Sequence, residues 1–221
     1  MSGIPSVELL IHAGRQRVPC ASALAWMARQ SDLVRSGAPE AVALLEHEPV
    51  YTLGARAARS SLRVAEAALP APLVEADRGG DVTWHGPGQL VCYPVLDLRA
   101  RGLRAGDYVH ALEHLAIETL AAWGIEGQRI AGRPGVWAGG MKIAAVGVRI
   151  DRGVTRHGLA LNVAPDLAWF DPIVPCGIAD AGVTSMARLL DEAPALPAVA
   201  QTMADAFARV FGVALVEAVS A

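Results

Sequence analysis

The chain has too few cysteines, too little net charge and no hydrophobic run long enough for several large classes of protein. Its three cysteines, Cys20, Cys92 and Cys176, are odd in number and far apart. They do not form a disulfide framework, and a reducing compartment is expected. A formal net charge of −3 argues against broad nucleic-acid binding, while leaving room for local basic patches. Although 53% of the residues are hydrophobic, no stretch approaches the roughly 18 uncharged apolar residues that a membrane span requires. Enrichment in Ala and Val accounts for the high fraction. Met1-Ser2-Gly3-Ile4-Pro5 lacks a basic segment followed by an apolar core, so no secretory signal and a cytoplasmic location are expected. Neither a Walker A loop nor a Gly-x-Gly-x-x-Gly fingerprint occurs, and there is no internal repeat or low-complexity linker. A length of 221 residues suffices for one sizeable core, and a single domain over 1–221 is expected.

Apolar residues recur at helical spacing over 21–34, 107–123 and 198–211. Short apolar or alternating runs at 41–45, 73–76, 90–98, 142–150 and 154–163 read as strands. The mixture predicts an α/β (α+β) fold, a mixed sheet flanked by helices. Residues 55–71 have no clean period and read as a mobile surface segment. Arg152-Gly153 suits a two-residue hairpin turn. With Asp151 facing Val154, Gly147 opposes Gly158 and Ala145 opposes Ala160, all four projecting to one side of the sheet. Val146 opposite Leu159 and Ala144 opposite Leu161 form an ordinary core layer on the other side. A nearly bare face is filled either by a closely packed helix or by a ligand. The same register sets Arg149 against Arg156, unfavourable unless an anion lies nearby, such as a phosphate or an acidic carrier.

Three segments carry the chemistry. Arg78-Gly79-Gly80-Asp81-Val82-Thr83-Trp84-His85-Gly86-Pro87-Gly88-Gln89 surrounds an Arg, a Thr and a His with glycines that allow close backbone approach to a ligand; the plain alternative is a glycine-rich hairpin. Gly139-Gly140-Met141-Lys142-Ile143 puts a lysine at the mouth of an apolar strand. Pro175-Cys176-Gly177 sets a cysteine between residues suited to a tight, exposed turn. Most free cysteines are small buried hydrophobes, and Cys20 and Cys92 are read that way. A thiol with its ordinary pKa near 8.5 is a poor nucleophile until a cation or base acts on it. Lys142 is the natural partner, provided that its apolar surroundings desolvate it.

Together with His47-Glu48-Pro49-Val50-Tyr51-Thr52-Leu53-Gly54 and the His157-Gly158-Leu159-Ala160-Leu161-Asn162-Val163 strand, these segments resemble, in order, the lipoyl (octanoyl) transferase family. The resemblance covers most of the chain but is weak before about residue 40 and after about residue 190. It implies the fold of biotin and lipoate protein ligases and an acyltransferase with Cys176 as acyl-accepting thiol and Lys142 as proton acceptor. It also implies that the substrate is bound by Arg78, Gly79, Gly80, Asp81, Val82, Thr83, Trp84 and His85, and by Ala145, Val146, Gly147, Gly158, Leu159 and Ala160, with the acyl chain on the bare face. The implied donor is octanoyl-acyl carrier protein. The implied acceptors are lipoyl domains of 2-oxo acid dehydrogenase E2 subunits and the glycine cleavage H protein. No cofactor, metal or ATP is called for, since a thioester already carries the activation. Backbone N–H groups near Gly79-Gly80 or Gly177 are candidates to stabilise the oxyanion.

Other readings differ in what they require. ATP-dependent lipoate and biotin ligases share the implied fold but do not need the Pro-Cys-Gly thiol. His110-Ala111-Leu112-Glu113-His114 fits a His-x-x-Glu-His zinc pattern, yet no third ligand element is evident. A cysteine hydrolase would need a His beside Cys176, for which His85 and His157 are available. A non-catalytic acyl-binding module would be marked by loss of Cys176. Within the family pattern Asp81 and Met141 are unusual, and neither removes a reactive group.

Overall fold

The computed structural model describes residues 4–55, 57, 59–174 and 182–218. Cys176 and its neighbours Pro175 and Gly177 lie outside the described residues. Among those described, the strands are β1 (Ser6–Ile11), β2 (Arg17–Val18), β3 (Glu40–His47), β4 (Val50–Leu53), β5 (Leu73–Glu75), β6 (Thr83–His85) and β7 (Gln89–Val95). After these come β8 (Gln128–Ile130), β9 (Arg133–Ala138), β10 (Met141–Asp151), β11 (Val154–Asn162) and β12 (Ala214–Glu217). The helices are α1 (Cys20–Arg35), α2 (Ala105–Ala121), the single turn α3 (Met186–Leu189) and α4 (Leu196–Phe211).

The main sheet runs β12-β1-β3-β7-β11-β10-β9-β8, with β2 pairing β3 off this path, and a second sheet runs β5-β4-β6. Pairings β1–β12, β1–β3, β2–β3 and β4–β5 are parallel and the others antiparallel, so the expected mixed sheet is present. Its hairpin register follows from the turn. Arg152 and Gly153 both have positive φ, 51° and 95°, the backbone of a two-residue turn that matches strand twist. The pairs Gly147–Gly158, Ala145–Ala160, Val146–Leu159, Ala144–Leu161 and Arg149–Arg156 are as the spacing predicts.

Central strands are covered on both faces, and alternation distributes their side chains. Val42, Leu44, Leu90, Cys92, Leu159 and Leu161 meet Leu112, Leu115, Leu120, Met203 and Phe207 of α2 and α4 in the large core. Ala43, Leu45, Val91, Tyr93 and Ala160 face Ala23 and Met27 of α1 in a much smaller one. The small sheet has its own cluster around Tyr51, Leu53, Val82, Trp84 and Phe170. Residues 59–71, aperiodic in sequence, form two 3-10 turns, Arg59–Ser61 and Glu66–Ala68. Leu62 and Leu69 pack on that cluster, so tertiary contacts anchor this segment.

Candidate active site

On the α1 side the small residues leave space. A cavity of about 380 Å³ lies between α1 (Cys20, Leu24), the small sheet (Thr52, Thr83, His85) and the main sheet (Val91, Tyr93, Ala145, Gly147, Gly158, Ala160). That volume is within the roughly 300–1,000 Å³ typical of small-molecule sites. Val146 and Leu159 also line it. The glycines and alanines of the bare face do different jobs. A Cβ on Gly147 would come 2.9 Å from Gly79 O, and one on Gly158 would come 2.1 Å from Cys92 O. Those glycines admit neighbouring backbone, whereas Ala145 and Ala160 are the small side chains at the cavity wall.

Lys142, only 6% exposed, lies on that wall. Its backbone is tied on both sides. Lys142 N donates to Gly182 O at 2.9 Å, Thr184 N donates to Lys142 O at 2.9 Å, and on the other edge Lys142 pairs with Trp137 just before a register shift in β10. Nζ sits 5.7 Å from the centre of the Trp137 ring, within cation–π reach. Gly135 has φ 115°, and a Cβ there would come 2.7 Å from Lys142 Cε and 2.4 Å from Ala144 O. The side chain of Lys142 therefore passes over a residue that has to be glycine.

The glycine-rich segment divides. Arg78, Gly79, Gly80, Thr83 and His85 line the cavity, while Asp81, Val82 and Trp84 do not. Period-two alternation in β6 sends Thr83 and His85 one way and Trp84 the other, onto Trp169 with rings 5.5 Å apart. Asp81 accepts from Val82 N at 2.7 Å and from Ser61 Oγ at 2.6 Å. Arg78 donates to Thr52 O at 2.7 Å, Asp81 O at 2.8 Å and Gly79 O at 3.1 Å, shaping the loop from within. Gly79 N donates to Val148 O at 2.9 Å, which removes that amide from the candidate oxyanion donors.

Two hydrogen-bonded chains reach the cavity. Val18 O accepts from His47 Nδ1 at 2.8 Å, leaving Nε2 to accept from Tyr93 OH at 2.9 Å. Thr184 O accepts from Asn162 Nδ2 at 2.9 Å, Asn162 Oδ1 from Gln89 Nε2 at 2.9 Å, and Gln89 Oε1 from His85 Nδ1 at 2.7 Å. Burial, then the nearby His47 and Arg78, pushes His85 down to about 3. Burial also lowers His47, and it lowers His157 against the opposing pull of Asp77. The two imidazoles that line the cavity, His85 and His157, are thus held toward the neutral form, alongside Arg78, Arg133 and Lys142. Burial raises the Cys20 thiol, partly offset by Arg78, and raises the enclosed Cys92 thiol.

Arg149 and Arg156 do face each other, and the anion beside them is the protein's own. Asp77 accepts from Arg156 Nη2 at 2.6 Å and from His157 Nε2 at 2.7 Å. Partial burial pushes its pKa up, but these bonds and both arginine charges outweigh that and hold it below the usual range. No phosphate or carrier is needed to explain the pair. In the His-x-x-Glu-His stretch, Glu113 accepts from Gly135 N and Arg129 Nε, each at 3.0 Å, and His114 pairs with Glu118 at 3.1 Å. Its carboxylate thereby anchors the glycine beneath Lys142.

A family model described as the lipoyl protein ligase A/B catalytic domain matches residues 19–208. The chain belongs to this family. An octanoyltransferase from Chloroflexus aurantiacus is 49% identical over 174 residues, covering 76% of this chain and 78% of the relative. Another from Gloeobacter violaceus is 45% identical over 207 residues, covering 93% and 90%. A crystal structure of lipoate-protein ligase A bound with ATP aligns with TM-score 0.76 over 96% of this chain and 88% of that one. At 14% identity that likeness establishes the lipoyl protein ligase fold alone.

Within this family frame, sequence reasoning missed Thr52, Tyr93, Gln89, Asn162 and Cys20 as neighbours of the site. Gln89 and Asn162 carried a usable signal, polar residues at the ends of apolar strands. Cys20 carried none beyond its place at the start of α1.

Proposed function

We propose that the chain, as one catalytic domain, transfers an octanoyl group from acyl carrier protein to the lysine of lipoyl domains through a thioester on Cys176. The acceptors are lipoyl domains of 2-oxo acid dehydrogenase E2 subunits and the glycine cleavage H protein. The observation that carries this reading is a buried lysine on the wall of a cavity lined largely by apolar and small residues, in a chain whose relatives are named octanoyltransferases.

In the first half-reaction the Cys176 thiol gives its proton to Lys142. Its sulfur then attacks the carrier thioester, and the C–S bond to the carrier breaks, with the proton leaving on the carrier thiol. In the second, the acceptor lysine amine attacks the new thioester. A C–N bond forms, the C–S bond breaks with its electron pair on sulfur, and the amine proton passes through Lys142 to restore the thiol. The acyl chain lies along Ala145 and Ala160. A thiol that must stay reduced supports a cytoplasmic setting; among the described residues no helix is long and apolar enough to cross a membrane.

The test is octanoylation of a purified lipoyl domain from octanoyl-carrier protein without nucleotide. Transfer that is lost in Cys176→Ser is expected. Acylation only from free octanoate plus ATP would mean that the ligase reading is correct instead.

A further inference from the structure

A histidine lining the cavity of a thioester-forming enzyme would ordinarily be assigned to donate a hydrogen bond to the developing oxyanion. The bonded chain behind His85 forbids this. Thr184 O accepts and does not donate, so Asn162 must present its amide nitrogen to it and its oxygen to Gln89. Gln89 then presents its nitrogen to Asn162 and its oxygen to His85, so the His85 proton sits on Nδ1. Nε2, the remaining ring nitrogen of a cavity-lining residue, carries a lone pair. A lone pair repels an oxyanion. It is useful only to a ligand that brings an N–H or O–H donor. In the loading step the reacting thioester carbonyl and sulfur leaving group bring none, whereas in discharge the attacking amine does.

We propose that His85 Nε2 is the hydrogen-bond acceptor that holds an N–H of the incoming lysine amine during discharge of the acyl-enzyme, with Gln89 and Asn162 as the positioning residues that fix its polarity. The proposal rests on the thioester reading above. His85 orients the nucleophile and does not take its proton, which passes to Lys142 as already described. The groups facing the imidazole are His47 from β3, Arg78 from the loop before β6, Gln89 from β7 and His157 from β11, with Lys142 on the same cavity wall.

The two half-reactions are separable by rapid quench. Octanoyl-enzyme formation is followed with octanoyl-carrier protein alone, and its decay after a lipoyl domain is added. For His85→Phe, discharge is expected to slow at least about tenfold more than loading. Gln89→Glu supplies a second readout. A carboxylate behind Nδ1–H favours the imidazolium, converting Nε2 from acceptor to donor as pH falls. Its discharge rate relative to wild type is expected to drop about tenfold between about pH 8 and pH 6, while its relative loading rate does not. Equal slowing of both steps, or a pH-independent discharge ratio in Gln89→Glu, overturns the proposal. Absence of any octanoyl-enzyme in wild type overturns the thioester reading itself, whatever the variants do.

Discussion

The two faces of the main sheet use the same strands in opposite ways. Toward α2 and α4, Leu90, Leu159 and Leu161 interlock with Leu112, Leu115 and Phe207, all essentially inaccessible. Toward α1, the positions one residue along are Ala43, Ala145, Gly147, Gly158 and Ala160, and part of the face stays open as the cavity. One side is built for cohesion and the other for occupancy. Substitutions should therefore separate stability from turnover according to the face on which they fall.

The sharpest break of the comparison is at Lys142. Lys142→Met keeps the volume but removes the amine, and octanoyl transfer should fall about 10²–10⁴-fold while the thermal midpoint moves little. A collapse in folding with activity per folded molecule retained would put Lys142 on the cohesive side. On the opposite face, Phe207→Ala should cost about 3–5 kcal/mol in denaturant unfolding, with the turnover of the folded fraction nearly preserved.

Acid sharpens the comparison further, because the histidines that lie on the cavity side are buried neutral. His85 has a folded pKa of about 3 against an unfolded value near 6.5, so below about pH 6 the unfolded chain binds a proton that the folded one refuses. Stability should fall as pH drops from about 6 toward 3, with His85 contributing on the order of 1 kcal/mol per pH unit. His85→Phe should flatten that slope in denaturant titrations at pH 7, 6 and 5; an unchanged slope would show that the imidazole is not buried neutral. The smallest effect is expected at Ala145→Val. Two added methyl groups on the cavity wall should lower transfer of octanoyl several-fold relative to hexanoyl, each methylene being worth about 1–3 kcal/mol in an apolar site, with no loss of stability. Equal effects on both chain lengths would place the acyl group elsewhere.

Legibility in the sequence followed the length and periodicity of each element. The 142–163 hairpin was readable because a two-residue turn ending in Gly153 leaves one register. Helices α1, α2 and α4 were readable from their apolar spacing, with ends off by one or two residues. Of the small sheet only β5 was readable, from the 73–76 run; β4 and β6, with four and three residues, are too short to display a period. The burial of Lys142 was anticipated from its apolar strand, but its means, Gly135 held by Glu113, joins residues distant in sequence. Asp81, Val82 and Trp84 sat in the right segment and turned away, since adjacent positions of a strand or tight loop seldom share a face. Asp77, the anion beside the Arg149–Arg156 pair, lies one residue outside the Arg78–Gln89 segment.

The proposed transfer turns on one covalent state, an octanoyl group carried on Cys176 into the cavity of the small-residue face. Intact-protein mass after mixing the enzyme with octanoyl-carrier protein, without ATP, tests it most directly. A hydroxylamine-sensitive octanoyl adduct that maps to the Cys176 peptide and disappears on addition of a lipoyl domain is the predicted result. An adduct elsewhere, or none while transfer proceeds at full rate, would contradict it.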